Sequence, residues 1–414
     1  MFYMFSKVPR GSINHSLGDS ITYFLQSWVS GLKDTQKIKQ FETLFAKYID
    51  RKYCLSFPFA RTAIYFALRS QNLPKGSEVI MPPISIKGIL DVVVHLGLVP
   101  RYVDLDLKNF CFDEKKLSEA INENTRAVII TYLFGTAPNI KKLVEICKEK
   151  NIYIIEDFSQ GLNAVVGEKK LGSFGDCSIY SSSAIKQIDT FGGGHLLTDD
   201  DKLIEEIQLE QKRLFPSNRR FLIKKTFTNL IYNITTTKLV FNLLTNPILI
   251  ALKKVGVNTE KMTGTRNKLP INYLPKEWFN AYTSFQANVG IKELQKVEAL
   301  DKKRINHAQK ILDLPSSFEF SQRENKENHS FWQLIAFSEN PLNLMKTLSD
   351  HQVDSCTSSL ELLSELSHYP GSCEMPNAHK IHTKGIFIPC FARMNESQKN
   401  IVYEAIKAIQ INKK

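Results

Sequence analysis

Two periodicities divide the chain. Short apolar runs of strand length, at residues 78–86, 99–106, 127–131, 152–155 and 177–180, alternate with segments whose apolar residues recur at helical spacing. Residues 17–50 read as amphipathic helices, with Phe41, Leu44, Phe45 and Tyr48 at that spacing, and residues 140–150 read as a crossover helix. A short strand at 54–59 turns into a helix running through Leu68. Runs without polar alternation are buried on both faces, and strand–helix repetition implies right-handed crossovers. An α/β fold is therefore predicted, with a mostly parallel sheet flanked by helices. From Trp278 a long helix leads to strands at 331–337 and 385–390 and a closing helix at 396–409, which reads as a smaller C-terminal α+β domain. The predicted organisation is an N-terminal helical segment (1–50), a large α/β domain (51–210), a helical insert (211–275) and a small domain (276–414).

The insert breaks the rhythm. It opens on Lys212, Arg213, Arg219, Arg220, Lys224 and Lys225 and continues through apolar runs at 227–234, 239–244 and 247–252. Each run is shorter than the ~20 residues a membrane-spanning helix needs, and Asn, Thr and Pro interrupt them. Two readings of 212–256 stand. One is a helical insert packed on its own protein or across a dimer. The other is an interfacial hairpin that dips apolar faces into headgroups while its basic residues meet anionic lipid.

Composition narrows the classes. The chain has 414 residues, 43% hydrophobic and 23% charged, which is ordinary for a globular protein. Its seven cysteines are scattered singly, which suits reduced thiols in a cytoplasmic protein and not a disulfide frame or zinc site. The first seven residues lack the charged lead and apolar length of a signal peptide. A net charge of +12 suits anionic partners, but no nucleic-acid module accompanies it, so no nucleic-acid binding is expected. His368, His379 and His382 lack metal-ligand spacing, and no metal site is assigned.

Candidate chemistry concentrates between residues 152 and 194. The first strand there delivers Glu156 and Asp157 at its carboxyl end, where open α/β sheets bind ligands. A turn-rich stretch, Gly172-Ser173-Phe174-Gly175-Asp176, precedes a strand ending in Ser181-Ser182-Ser183-Ala184-Ile185-Lys186, and Gly192 to Gly194 close the unit. A carboxylate, a hydroxyl cluster and one lysine on neighbouring strand ends are the parts a pyridoxal phosphate (PLP) enzyme needs. The lysine must shed its proton to attack the cofactor's aldehyde. A carboxylate on the pyridine nitrogen keeps the ring electron-poor, and hydroxyls with backbone amides satisfy the phosphate.

In order and spacing, Glu156-Asp157-Phe158-Ser159-Gln160, the glycine turn at 172–176, Tyr180 through Lys186 and Gly193-Gly194 resemble the cofactor core of the DegT/DnrJ/StrS family of sugar aminotransferases, which are fold-type-I PLP transferases. The resemblance extends over roughly residues 10–210 and 280–410. It implies a homodimer with the site at its interface and PLP as cofactor. It also implies amino transfer, with glutamate as donor, to a keto group of a nucleotide-linked sugar in surface polysaccharide or related glycoconjugate biosynthesis. Residue by residue, it makes Lys186 the aldehyde-binding lysine and general acid/base. Asp157 becomes the partner of the pyridine nitrogen, Gln160 a contact to the ring hydroxyl and Ser181 a phosphate ligand.

Some positions depart from the family. Ala60 and Arg61 match the second and third residues of its phosphate-holding S-G-T or S-G-R turn, with Ala where Gly is usual, which conflicts with any need for a positive φ. Ile86 stands where an aromatic stacks on the ring, a loss of about 1 kcal/mol. Asn280 is one register away from an Asn that reaches the partner's cofactor phosphate, with Ala281 where an Arg belongs, so a helix cap is its alternative role. Relatives that dehydrate carry His in place of Lys186, so the lysine favours amino transfer. The departures leave two alternatives open: a PLP-binding regulatory or membrane-associated scaffold protein, and an enzyme aminating a non-nucleotide keto compound.

Overall fold

The computed structural model describes residues 7–255 and 269–409. Most of the segment read for a signal peptide (1–6), part of the predicted insert (256–268) and the last residues (410–414) lie outside the described residues. Seven strands form one sheet: β1 (Tyr53–Phe57), β2 (Glu78–Met81), β3 (Val99–Tyr102), β4 (Thr125–Thr131), β5 (Tyr153–Asp157), β6 (Cys177–Ser181) and β7 (Gly194–Thr198). Their order is β1-β7-β6-β5-β4-β2-β3. Only β7 runs against its neighbours, and the other pairings are parallel.

Alternation along the strands loads both faces. Val128, Ile130 and Ile154 enter one core with Phe41 and Phe45 of helix α2 (Thr35–Ile49), which follows α1 (Leu17–Val29). Ala127, Ile129 and Ile155 enter the other with Ile64 of α3 (Ala60–Arg69) and Leu90 of α4 (Lys87–His95). A sheet covered on both sides exposes only its strand ends, so polar groups at the carboxyl ends are where ligands gain access.

The small domain holds a four-stranded antiparallel sheet ordered Glu319–Phe320, Leu334–Phe337, Gly385–Ile388 and Cys356–Thr357. Two sequence expectations need correction. The run 331–337 becomes a strand only from Leu334, because Phe331 takes a left-handed φ of 47° and residues 330–333 bond to the large domain instead. Ser330 N donates to Gly135 O at 2.8 Å and Gln333 N to Phe134 O at 3.2 Å. The run 78–86 also divides. Pro82 and Pro83 offer no amide to a ladder, so β2 stops at Met81, and Ile84–Ser85 cross to pair with Glu361–Leu362.

Within the insert, helix Arg219–Thr236 is followed by a turn at Lys238–Val240, a π-helical turn at Phe241–Thr245 and helix Asn246–Lys254. The chain bends by 69° between Arg219–Thr236 and Lys238–Leu252. Among the described residues, no single helix is long and apolar enough to cross a membrane.

One close approach is diagnostic of how α2 meets helix Ser284–Leu294. A Cβ on Gly290 would lie 2.6 Å from the Phe41 ring. Gly to Ala in a helix ordinarily stabilises by up to ~1 kcal/mol. Here Gly290→Ala is expected to destabilise by ~1–3 kcal/mol through overpacking, seen as a lowered thermal midpoint. A raised midpoint would refute the contact.

Candidate active site

The acid pair separates into two roles, because successive residues of a strand face opposite sides. Glu156 is fully buried. Its carboxylate accepts from the amides of Gly172 (2.8 Å), Phe174 (2.6 Å) and Gly175 (2.6 Å), from the Tyr132 hydroxyl, and from Arg51 Nη2 at 3.3 Å. Gly172, at φ 95°, has no room for a Cβ against the Phe158 ring. The glycine turn therefore wraps Glu156 and serves architecture. Arg51 went unnoticed in the sequence because nothing local marks it, and its partners at Gly172, Gly175 and Asp199 are over a hundred residues away.

Asp157 faces the other way. It is buried, and its Oδ1 accepts the Ser159 amide at 3.0 Å. Ser159 Oγ in turn accepts the amide of Ser181 at 2.9 Å, so the ends of β5 and β6 are tied together. Burial holds the Asp157 carboxyl above its ordinary range, while the Ser159 hydrogen bonds and the Lys186 charge oppose that rise. Burial likewise pushes the Lys186 ammonium down to about 8, with Asp157 pulling back. The two groups sense each other without forming an ion pair or a hydrogen bond. The residue before the lysine, Ile185, has φ 67°, an outlier for a β-branched side chain. Such strain is typical of functional turns.

Trp332 covers this lysine. Lys186 Nζ sits 4.1 Å from the centre of the Trp332 ring, and Trp332 Nε1 donates to Ile185 O at 3.1 Å. Sequence reading placed Trp332 inside a strand and so missed it. Gln160 supports the same cover indirectly. Its Oε1 accepts the Phe134 amide at 2.8 Å, and the turn at Phe134–Gly135 carries residues 330–333. Gln160 therefore has its amide oxygen engaged by the protein, which leaves the two N–H donors of Nε2 available to a ligand.

The remaining residues gather at the start of α3. Phe59 occupies the cap position and no side chain caps the helix; Thr62 N turns back to Phe59 O at 3.0 Å, which leaves the amides of Ala60 and Arg61 without a side-chain cap. Gly194 lies so close to this turn that an added Cβ would be 2.2 Å from Ala60 N, and Gly194 pairs with Ser181. Ser181 is thus brought beside the helix N-terminus, where its hydroxyl meets Ser183 Oγ at 3.0 Å. Ala60 is absent from the residues with positive φ, so alanine fits the position without strain. Arg61 stacks between Phe59 and Trp278, at 4.7 and 4.5 Å, with its buried Nε unpartnered. Lys225 lies near enough to feel its charge. Two neighbouring cations at a helix start without a side-chain cap would suit an anion.

Asn280 lines a cleft with Phe59, Phe221 and Gln286. It is not the N-cap of Ser284–Leu294, which is Thr283 in a reciprocal box with Gln286; Asn280 instead sits at the C-cap of the short 3-10 helix Lys276–Phe279. Ile86 is 40% exposed at the start of α4, whose Gly88 lies against Arg61.

These groups fit the cofactor inferred from sequence. Lys186 would take the aldehyde, Asp157 the ring nitrogen, and Ser181 with the α3 amides the phosphate. Thr131 Oγ1, buried without a partner on β4 opposite Asp157, is a further polar atom available to it. Missed in sequence was His195, whose ring bridges Ser56 Oγ (3.1 Å) and Ser182 Oγ (2.8 Å). Burial pushes it down to about 3, so it is neutral and holds the lysine loop in shape.

Comparison with known proteins agrees with the geometry. The profile described as the DegT/DnrJ/EryC1/StrS aminotransferase family matches residues 19–231 and 249–407. A GDP-perosamine synthase of Caulobacter vibrioides is 31% identical over 222 residues, 52% of this chain and 59% of that protein. The spore coat polysaccharide biosynthesis protein SpsC of Bacillus subtilis is 27% identical over 173 residues, 42% of this chain and 44% of its own. The chain spans about half the length of the curated relatives it matches. Among solved structures, a sugar aminotransferase from Micromonospora echinospora superposes with a TM-score of 0.71 at 18% identity, covering 97% of this chain and 99% of that one. A GDP-4-keto-6-deoxymannose-3-dehydratase with bound GDP-perosamine gives 0.71 at 20% identity, covering 97% and 100%.

The lowered lysine carries a pH signature. In the cofactor-free protein, amine acylation of Lys186 is expected to rise with pH about a midpoint near 8, where the neutral nucleophile forms. Asp157→Asn removes the charge that favours the ammonium, so the midpoint is expected to move lower. Mass-spectrometric labelling rates across pH check both. A midpoint near an ordinary lysine's would show that the site is not desolvated.

Proposed function

The chain belongs to the DegT/DnrJ/EryC1/StrS aminotransferase family, and from that premise we propose that it is a PLP-dependent aminotransferase acting on a keto group of a nucleotide-linked sugar, with glutamate as donor. The observation that carries this is Lys186, half-buried beneath the Trp332 ring on the loop after β6 and without an ion-pair partner, close enough to the buried Asp157 at the end of β5 to feel its charge. Bound there, PLP supplies an electron sink for the carbon that gains or loses the proton. Lys186 supplies the base: with its affinity for protons near neutrality, it accepts one at the substrate carbon and returns one at the cofactor's aldehyde carbon. Asp157 keeps the pyridine nitrogen protonated. Trp332 shields Lys186 from water on one side, and the α3 start with Arg61 anchors anionic groups.

Relatives named as GDP-perosamine synthases support a nucleotide-linked sugar. Relatives named as 3-dehydratases also match, but the amine at 186 favours transfer. The reading includes a two-fold homodimer and a cytoplasmic site of action, with reduced thiols consistent with the latter.

Absorbance of the PLP-loaded protein tests the reading. Glutamate is expected to shift the visible band, and a nucleotide keto-sugar to restore it. Lys186→Ala is expected to lose the band and at least ~10³-fold of turnover while retaining the wild-type thermal midpoint. Bound PLP inert to every amino donor would favour a regulatory role instead.

A further inference from the structure

The helices that join the insert to the protein are inside out. Helix Arg219–Thr236 turns Leu222, Thr226, Asn229 and Asn233 inward, at one-face spacing, and three of those four are polar. Facing it, α1 buries Ser20, Tyr23 and Ser27. The seam between them is zipped by hydrogen bonds. Thr226 Oγ1 meets Ser27 Oγ at 3.1 Å, Ser20 Oγ donates to Asn229 Oδ1 at 3.0 Å, and Asn233 Nδ2 donates to His15 O at 3.0 Å. Arg219 closes the far end on the carbonyls of Ser27 and Ser30, so the two helices run antiparallel.

The apolar sides therefore face out. Leu25 (61% exposed), Trp28 (56%) and Ile21 line the outer side of α1, and Phe227 (49%) and Ile231 line that of the insert helix. Exposed apolar residues continue at Leu239, Leu243, Leu244 and Ile248. A contiguous outward stripe on two packed helices is not a scatter of single surface residues.

Charge says what covers it. Between Glu210 and Glu260 the sequence holds nine lysines and arginines and no aspartate or glutamate. Arg220 and Lys224 are exposed and lie on the helical face that carries Phe227 and Ile231. Lys225 instead lies over the Phe221 ring, at 5.4 Å from its centre, close enough to Arg61 to feel its charge. A two-fold contact between copies through this face would set the two acid-free, basic stretches of 211–259 against each other. An anionic bilayer surface complements both the apolar stripe and the charge. The family profile also skips residues 232–248, so part of this surface lies outside the shared pattern.

We propose that α1 and the helices of residues 219–254 dock the protein on an anionic membrane surface, lying in the headgroup layer without crossing it. The test is flotation of the full PLP-loaded chain with phosphatidylcholine vesicles, with and without phosphatidylglycerol. Wild type is expected to float only with the anionic vesicles, and less so at high salt. Ile231→Glu with Leu244→Glu, and separately Arg220→Glu with Lys224→Glu, are each expected to reduce the bound fraction about tenfold, with thermal midpoint and turnover unchanged. No flotation of wild type overturns the proposal, as does equal flotation of all three proteins. If the apolar variant instead halves the mass in light scattering and wild type ignores vesicles, the face joins two copies and the proposal fails.

Discussion

Everything at the centre of this protein depends on two opposite charges that share a desolvated space without touching. Burial favours neutral Lys186 and neutral Asp157, and the field of each favours the charged form of the other. Direct contact would have quenched both in an ion pair. Separation keeps the amine near its titration point and the carboxylate available to a ring nitrogen. The backbone enforces that separation. Ser159 clamps Asp157 from one side and ties β5 to β6, while the strained turn at Ile185 fixes where the lysine emerges.

Around that pair, much of what looks reactive is scaffolding. Glu156 binds three amides, a phenol and an arginine, so it has no capacity left for a ligand. His195 sits between two hydroxyls and stays neutral. Buried polar networks of this kind are costly unless every member is satisfied, and these two are. Their work is positional. They shape the glycine turn and the loop from Ser182 to Gly193, so that Ser181 comes to the start of α3 while Lys186 lies under Trp332.

Legibility in the sequence followed the range of the forces involved. The strands of the large sheet were readable because burial on both faces leaves unbroken apolar runs, and the acid at 157 because it closes such a run; the lysine at 186, five residues past its strand, stood out only through the family resemblance. Glu156 and Asp157 looked alike because a strand's alternation assigns faces only once register is known. Trp332, Arg51 and Thr131 were silent because their significance comes from partners distant in sequence. The worry over Ala60 came from assuming that the family's glycine meets a torsional demand. In the structure the close approach falls on Gly194, across the strand, and Ala60 is an ordinary first helical residue. The two misjudged runs share one cause: an apolar stretch can leave its sheet to pair with the other domain, as Ile84–Ser85 and residues 330–333 do.

The insert inverts the usual rule, and the inversion reaches the catalytic loop. Asn229, on the inward side of its helix, donates to Asp189 Oδ2 at 2.8 Å, and His15 approaches Asp189 O at 2.9 Å. Asn14 donates to Gln187 O at 2.9 Å. The same polar seam that frees the apolar face therefore grips residues 187–189, immediately after Lys186. Had the helix packed by its apolar side, as amphipathic helices ordinarily do, these directional bonds to the loop would be lost. Polar packing inward thus accomplishes two things with one set of side chains: it positions the segment that carries the lysine, and it leaves the hydrophobic surface for whatever lies outside the chain.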